Sequence, residues 1–66
     1  MQLTINGEAR QGLSARDVAG LVSELGLDAR KVAVERNLEI VPRSLYSATA
    51  LAEGDRIELV QFVGGG

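Results

Sequence analysis

A chain of 66 residues has room for one domain, and at this size only about 60% of the unfolded surface is buried, so a deep substrate cavity is excluded. It contains no His and no Cys, which removes an imidazole base, a thiolate nucleophile, disulfides and Cys/His zinc sites. The formal net charge is −2, with seven cations spread along the chain, so the counterion-displacing patch of a nucleic-acid binder is not expected.

In chain order, "MQLTING" alternates Leu3 and Ile5 with Gln2 and Thr4 before Asn6-Gly7, a strong hairpin signal, and predicts strand, turn and strand through about Leu13. "SARDVAGLVSELG" predicts a helix, with Ser14 as N-cap, Asp17 as the other half of a capping box and Gly26 as the left-handed stop. Val18, Leu21, Val22 and Leu25 follow i, i+3, i+4, i+7 spacing, an apolar face suited to lying on a sheet.

"KVAVER" predicts a third strand with Val32 and Val34 on one face. A turn at Asn37 leads to a short extended piece ending at Pro42, whose missing amide suits a strand end. Residues 43–55 are expected to be irregular, with Leu51 anchoring the loop and Glu53-Gly54-Asp55 reversing the chain. "RIELVQFV" predicts the last strand. The order is that of an α+β, β-grasp (ubiquitin-like) domain over residues 1–66: a mixed sheet with one main helix on one face and a flexible C-terminal glycine tail.

On the last strand Ile57 and Leu59 are expected inside, while Glu58, Val60 and Phe62 face the other way and form a partner-docking patch beside the tail. The tail, Gly64, Gly65 and Gly66, carries no Cβ and so suits a narrow channel that reaches the main-chain carboxylate. That carboxylate titrates at about 3.3–3.7 in peptides, so at neutral pH it is ionised and able to attack the α-phosphate of ATP. A frayed terminus is the alternative reading of the same glycines; as a reagent, the tail would offer its carboxylate at Gly66, with Gly64 and Gly65 in the channel. The carboxylates Asp17, Glu24 and Asp28 read as solvated, so neither a metal site nor an internal active site is expected.

The Asn6-Gly7 hairpin, "LVSELGL", "VAVERNLEIVPRS", "EGDRIELV" and the terminal Gly-Gly together resemble the ThiS sulfur-carrier family of thiamine biosynthesis. "IVPR" at Ile40 to Arg43 with "GDRIE" at Gly54 to Glu58 points to this branch among ubiquitin-like carriers. Two positions depart from the family pattern. Leu38 stands where a small or polar residue is usual, and Leu45 where Trp is frequent.

The resemblance implies that the chain is a protein co-substrate and not an enzyme. An adenylating enzyme would activate the Gly66 carboxylate with ATP, and sulfur from a donor such as a cysteine desulfurase would convert it to a thiocarboxylate. Thiazole synthase would then accept the sulfur. The chain itself would bind no cofactor, act as a monomer, and touch neither nucleic acid nor membrane. A cytoplasmic location is expected, since there is no basic leader and no run approaching the roughly 20 apolar residues of a membrane span. Carriers serving molybdopterin, cysteine or a specialised metabolite share this pattern, and a ubiquitin-like protein modifier or a plain binding module with an inert tail are alternatives.

Overall fold

A computed structural model of the chain describes residues 1–62. The strands are β1 (Leu3–Ile5), β2 (Glu8–Arg10), β3 (Val32–Arg36), β4 (Glu39–Val41) and β5 (Arg56–Gln61), with one helix, α1 (Val18–Glu24), and two 3-10 segments, Ala29–Lys31 and Arg43–Ala48. The sheet order is β2-β1-β5-β3-β4. The last strand therefore lies at the centre, parallel to β1 and antiparallel to β3. This is the expected β-grasp arrangement.

Two tight turns fix the outer strands. Asn6-Gly7 closes the β1–β2 hairpin with φ of 50° and 83°, the left-handed pair that such turns require. The β3–β4 hairpin closes in the same way at Asn37 and Leu38, with φ of 51° and 71°. Here a leucine occupies the position that glycine fills in the first turn, and its Cβ is crowded there. Asn6 also stitches β1 to β5: its side-chain oxygen accepts from Leu59 N at 2.8 Å and its amide donates to Leu59 O at 3.3 Å.

The core forms between the sheet and α1. Leu3, Ile5, Val32, Val34, Val41 and Ile57 meet Val18, Leu21 and Val22, and Tyr46 and Leu51 close the remaining side. Leu25, Leu27 and Leu59 are partly buried against this cluster. Each fully buried aliphatic side chain contributes about 1.5–3 kcal/mol relative to exposure, which is how a chain this short offsets its ordering entropy.

Three local expectations are corrected. The helix begins at Val18 and not after Ser14: its N-cap is Asp17, whose carboxylate accepts from Gly20 N at 2.7 Å. The backbone before it is committed elsewhere, because Asp17 bridges Ala50, Val18 N donates to Thr49 O and Leu51 N donates to Arg16 O. The Ser14 N–H and hydroxyl instead donate to the Glu24 carboxylate, so neither the Ser14 cap nor the capping box forms. Second, β2 stops at Arg10 and does not run on to Leu13. Third, residues 43–48 are a 3-10 segment and not irregular, docked through Tyr46, whose hydroxyl donates to Val32 O at 2.8 Å. Leu51 is buried, as its anchoring role requires, and Gly26 has a φ of 74° just past the helix.

Asp55 is the buried charged residue of the described chain. Its carboxylate accepts from Arg36 Nε at 2.7 Å, Asn37 Nδ2 at 3.0 Å and Ala52 N at 2.8 Å. Burial pushes its pKa up, but the Asn37 amide, the Ala52 N–H and the Arg36 guanidinium outweigh that and hold it below the usual carboxylate range. This knot ties the β3–β4 turn to the entrance of β5.

Candidate functional site

The alternation of β5 sorts its side chains as the sequence predicts. Ile57 is fully buried and Leu59 packs on the core, whereas Val60 is 59% exposed. Phe62, one residue past the strand, is 49% exposed. Its N–H donates to Lys31 O at 2.7 Å, so the backbone is still held by the β3 side of the sheet at this point. Glu58 is half-buried on the same face as Val60, directly across from Glu35. Two carboxylates facing each other across strands repel, and Arg56 lies 4.0 Å from Glu58 to offset part of that. Gly64, Gly65 and Gly66 lie outside the described residues.

The open face extends further than the sequence reading placed it. Ala33 pairs with Val60, and Ile40 on β4 pairs with Glu35. Ile40 thus sits diagonal to Ala33 on the same surface, and it is 76% exposed. Ile40, Ala33, Val60 and Phe62 form an apolar path across three strands, bordered by Glu35 and Glu58. The signal for Ile40 was present in the period-two pattern of "EIV", since Val41 in the core forces Ile40 outward. It was missed because a strand of three residues has no readable register until its turn is known.

Among the described residues no group of three His, Cys, Asp or Glu could hold a metal ion, and the grooves are open. One, of about 360 Å³, lies between Leu25, Leu27 and Leu59, with Arg10 and Gln61 at its margin. No helix of the described residues is long and apolar enough to cross a membrane. What the geometry offers is an apolar sheet face leading to the C-terminal end of the central strand.

Comparison with known proteins decides the family. The model of the ThiS family matches residues 3–66. The chain belongs to the ThiS family. It is 56% identical over all 66 residues to a thiazole synthase of Paramagnetospirillum magneticum, of which it covers 20%. It is also 32% identical to the sulfur carrier protein ThiS of Escherichia coli, with both chains fully covered. The crystal structure of the thiamine biosynthesis protein ThiS from Geobacter metallireducens superposes with a TM-score of 0.82 at 38% identity, covering all of both chains. The chain spans about one fifth of the length of the first two curated relatives it matches, both of them thiazole synthases.

Proposed function

We propose that this ThiS-family chain is a sulfur carrier for thiamine biosynthesis, in which the carboxylate of Gly66 is the working group. One carboxylate oxygen attacks the α-phosphate of ATP in the active site of an adenylating enzyme, pyrophosphate leaves, and an acyl-adenylate forms. The outer sulfur of a persulfide on a donor such as a cysteine desulfurase attacks the acyl carbon, AMP leaves, and a thiol reductant then cleaves the acyl disulfide, carrying the donor's sulfur away in a new disulfide. The product is a thiocarboxylate, whose sulfur passes to thiazole synthase for the thiazole ring.

The observation that carries this reading is that the family match runs through residue 66, so the glycines are inside the matched pattern. The chain's own residues support the division of labour. Without His or Cys it has no imidazole base or thiol nucleophile with which to catalyse the steps itself. Val60, Phe62 and Ile40 provide apolar area for the adenylating enzyme to cover, and Glu58 and Glu35 border it. Glycine at 64–66 suits a channel too narrow for any side chain. The identity with thiazole synthases favours thiazole formation over molybdopterin or cysteine pathways as the destination of the sulfur.

Deleting Gly66 tests it. The deleted chain is expected to keep its thermal melt and to lose sulfur delivery in an assay reconstituted with an adenylating enzyme and thiazole synthase. Retention of sulfur delivery would end the carboxylate reading.

A further inference from the structure

Three of the seven cations are brought to one end of the molecule. Phe62 N bonds to Lys31 O, and Arg43 donates from its guanidinium to Arg30 O at 3.0 Å. Arg30, Lys31 and Arg43 are therefore collected where β5 delivers the chain toward its C-terminus, and all three are exposed. The fold holds them there: Tyr46 pins the 3-10 segment that starts at Arg43 to Val32 O. Asp28 pairs with Arg30 at 3.1 Å. Arg30's side-chain and backbone N–H groups hold the Asp28 pKa at about 2, so the pair stays ionised at neutral pH. Among the described residues neither Lys31 nor Arg43 has a carboxylate within ion-pair distance.

The opposite end of β5 is different. There Arg36 is matched by Asp55 and Arg56 by Glu58. A molecule with a formal charge of −2 thus carries two cations without an ion pair among the described residues, Lys31 and Arg43, at the end where β5 finishes. An acidic partner would repel the domain as a whole and attract this end alone, so the encounter is oriented as well as accelerated.

We propose that Arg30, Lys31 and Arg43 form a basic collar that engages acidic side chains around the mouth of the adenylating enzyme's tail channel and presents the chain tail-first. The collar rests on the carrier reading above, and it adds the charge of the surface that receives the tail. It is separate from the apolar contact at Val60: the open face supplies buried area and the collar sets orientation and rate.

The test is ATP–pyrophosphate exchange by an adenylating enzyme, with the full chain as substrate, across a salt series. Lys31→Glu and Arg43→Glu are compared with Arg16→Glu, which makes the same change in net charge beside Met1 and Leu13, near the N-terminal start of β1. Each collar variant is expected to lose roughly 3- to 30-fold in kcat/KM at about 50 mM salt, since a favourable pair becomes a repulsive one. The gap should close to within about two-fold at roughly 500 mM, where screening shortens its reach. Arg16→Glu should stay within about two-fold throughout.

Equal losses for Lys31→Glu and Arg16→Glu would overturn the collar, because net charge alone would then be responsible. So would no loss in Lys31→Glu, or a loss that salt does not relieve. Lys31 has no side-chain hydrogen bond among the described residues, so its variant decides the matter even if Arg43→Glu disturbs the 3-10 segment. A wild-type chain that supports no exchange would overturn the carrier reading and the collar with it, whereas normal wild-type exchange with indifferent variants overturns the collar alone.

Discussion

Val60→Asp separates docking from folding. Full burial of a valine is worth about 1.5–3 kcal/mol; with 59% of Val60 exposed, roughly 1–2 kcal/mol of that remains for a partner to gain. A carboxylate trapped in the contact adds a desolvation cost of about 1–3 kcal/mol. The combined loss of about 2–5 kcal/mol corresponds to a fall of roughly 30- to 4,000-fold in kcat/KM for adenylation. Folding loses far less, because Val60 contributes nothing to the core. The cost is strand preference and proximity to Glu58, about 1 kcal/mol together, which lowers Tm by about 4–8 °C in a domain of this size. Ile57→Ala, three residues earlier and fully buried, should cost about 2–5 kcal/mol. Val60→Thr, which keeps the branched shape but puts a hydroxyl into the contact, should melt near wild type and fall between wild type and Val60→Asp in exchange. Pyrophosphate exchange and thermal melts on the same samples give both numbers. Unchanged exchange in Val60→Asp would place docking elsewhere, and a melt as damaged as that of Ile57→Ala would show the faces of β5 to be assigned wrongly.

Two further predictions concern the frame that holds this face. Leu38→Gly should raise stability by about 0.5–1 kcal/mol, because φ of 71° is strained for leucine and the side chain is 78% exposed with little contact to lose; a lower melting temperature would mean that Leu38 makes a contact worth more than its strain. Asp55→Ala leaves the Arg36, Asn37 and Ala52 donors without their acceptor and should cost about 2–4 kcal/mol by chemical denaturation. Since the folded Asp55 pKa is depressed, its stabilisation is present above the unfolded value of about 3.9 and is lost as pH falls through the folded value. Melting temperatures between about pH 5 and 2 should therefore fall more steeply for wild type than for Asp55→Asn, and parallel curves would contradict the assignment.

Much of the fold is legible because local signals and tertiary contacts agree. Asn6-Gly7 needs only its own φ preferences to make a hairpin, the Val18, Leu21, Val22 stripe needs only a sheet to cover it, and Ile57 against Val60 is a matter of strand period. The failures are places where distant backbone decides. Asp17 takes the cap from Ser14 because residues 16–18 are bonded to 49–51, and Asp55 is buried because Arg36 and Asn37 arrive from another hairpin. Ile40 joins the open face through a register set by Asn37-Leu38. The gathering of Arg30, Lys31 and Arg43 follows from a hydrogen bond between segments 13 residues apart, which no composition count reveals. Family membership was legible in the resemblance of whole segments, whereas the reach of the open apolar face required the sheet order.

The measurement that bears most directly on the carrier role is the intact mass of the chain after incubation with ATP, an adenylating enzyme and sulfide. The account predicts a shift equal to replacing one oxygen by sulfur, confined by fragmentation to Gly66 and absent when Gly66 is deleted. An unchanged mass, with the adenylating enzyme shown to be active on another carrier, would contradict it.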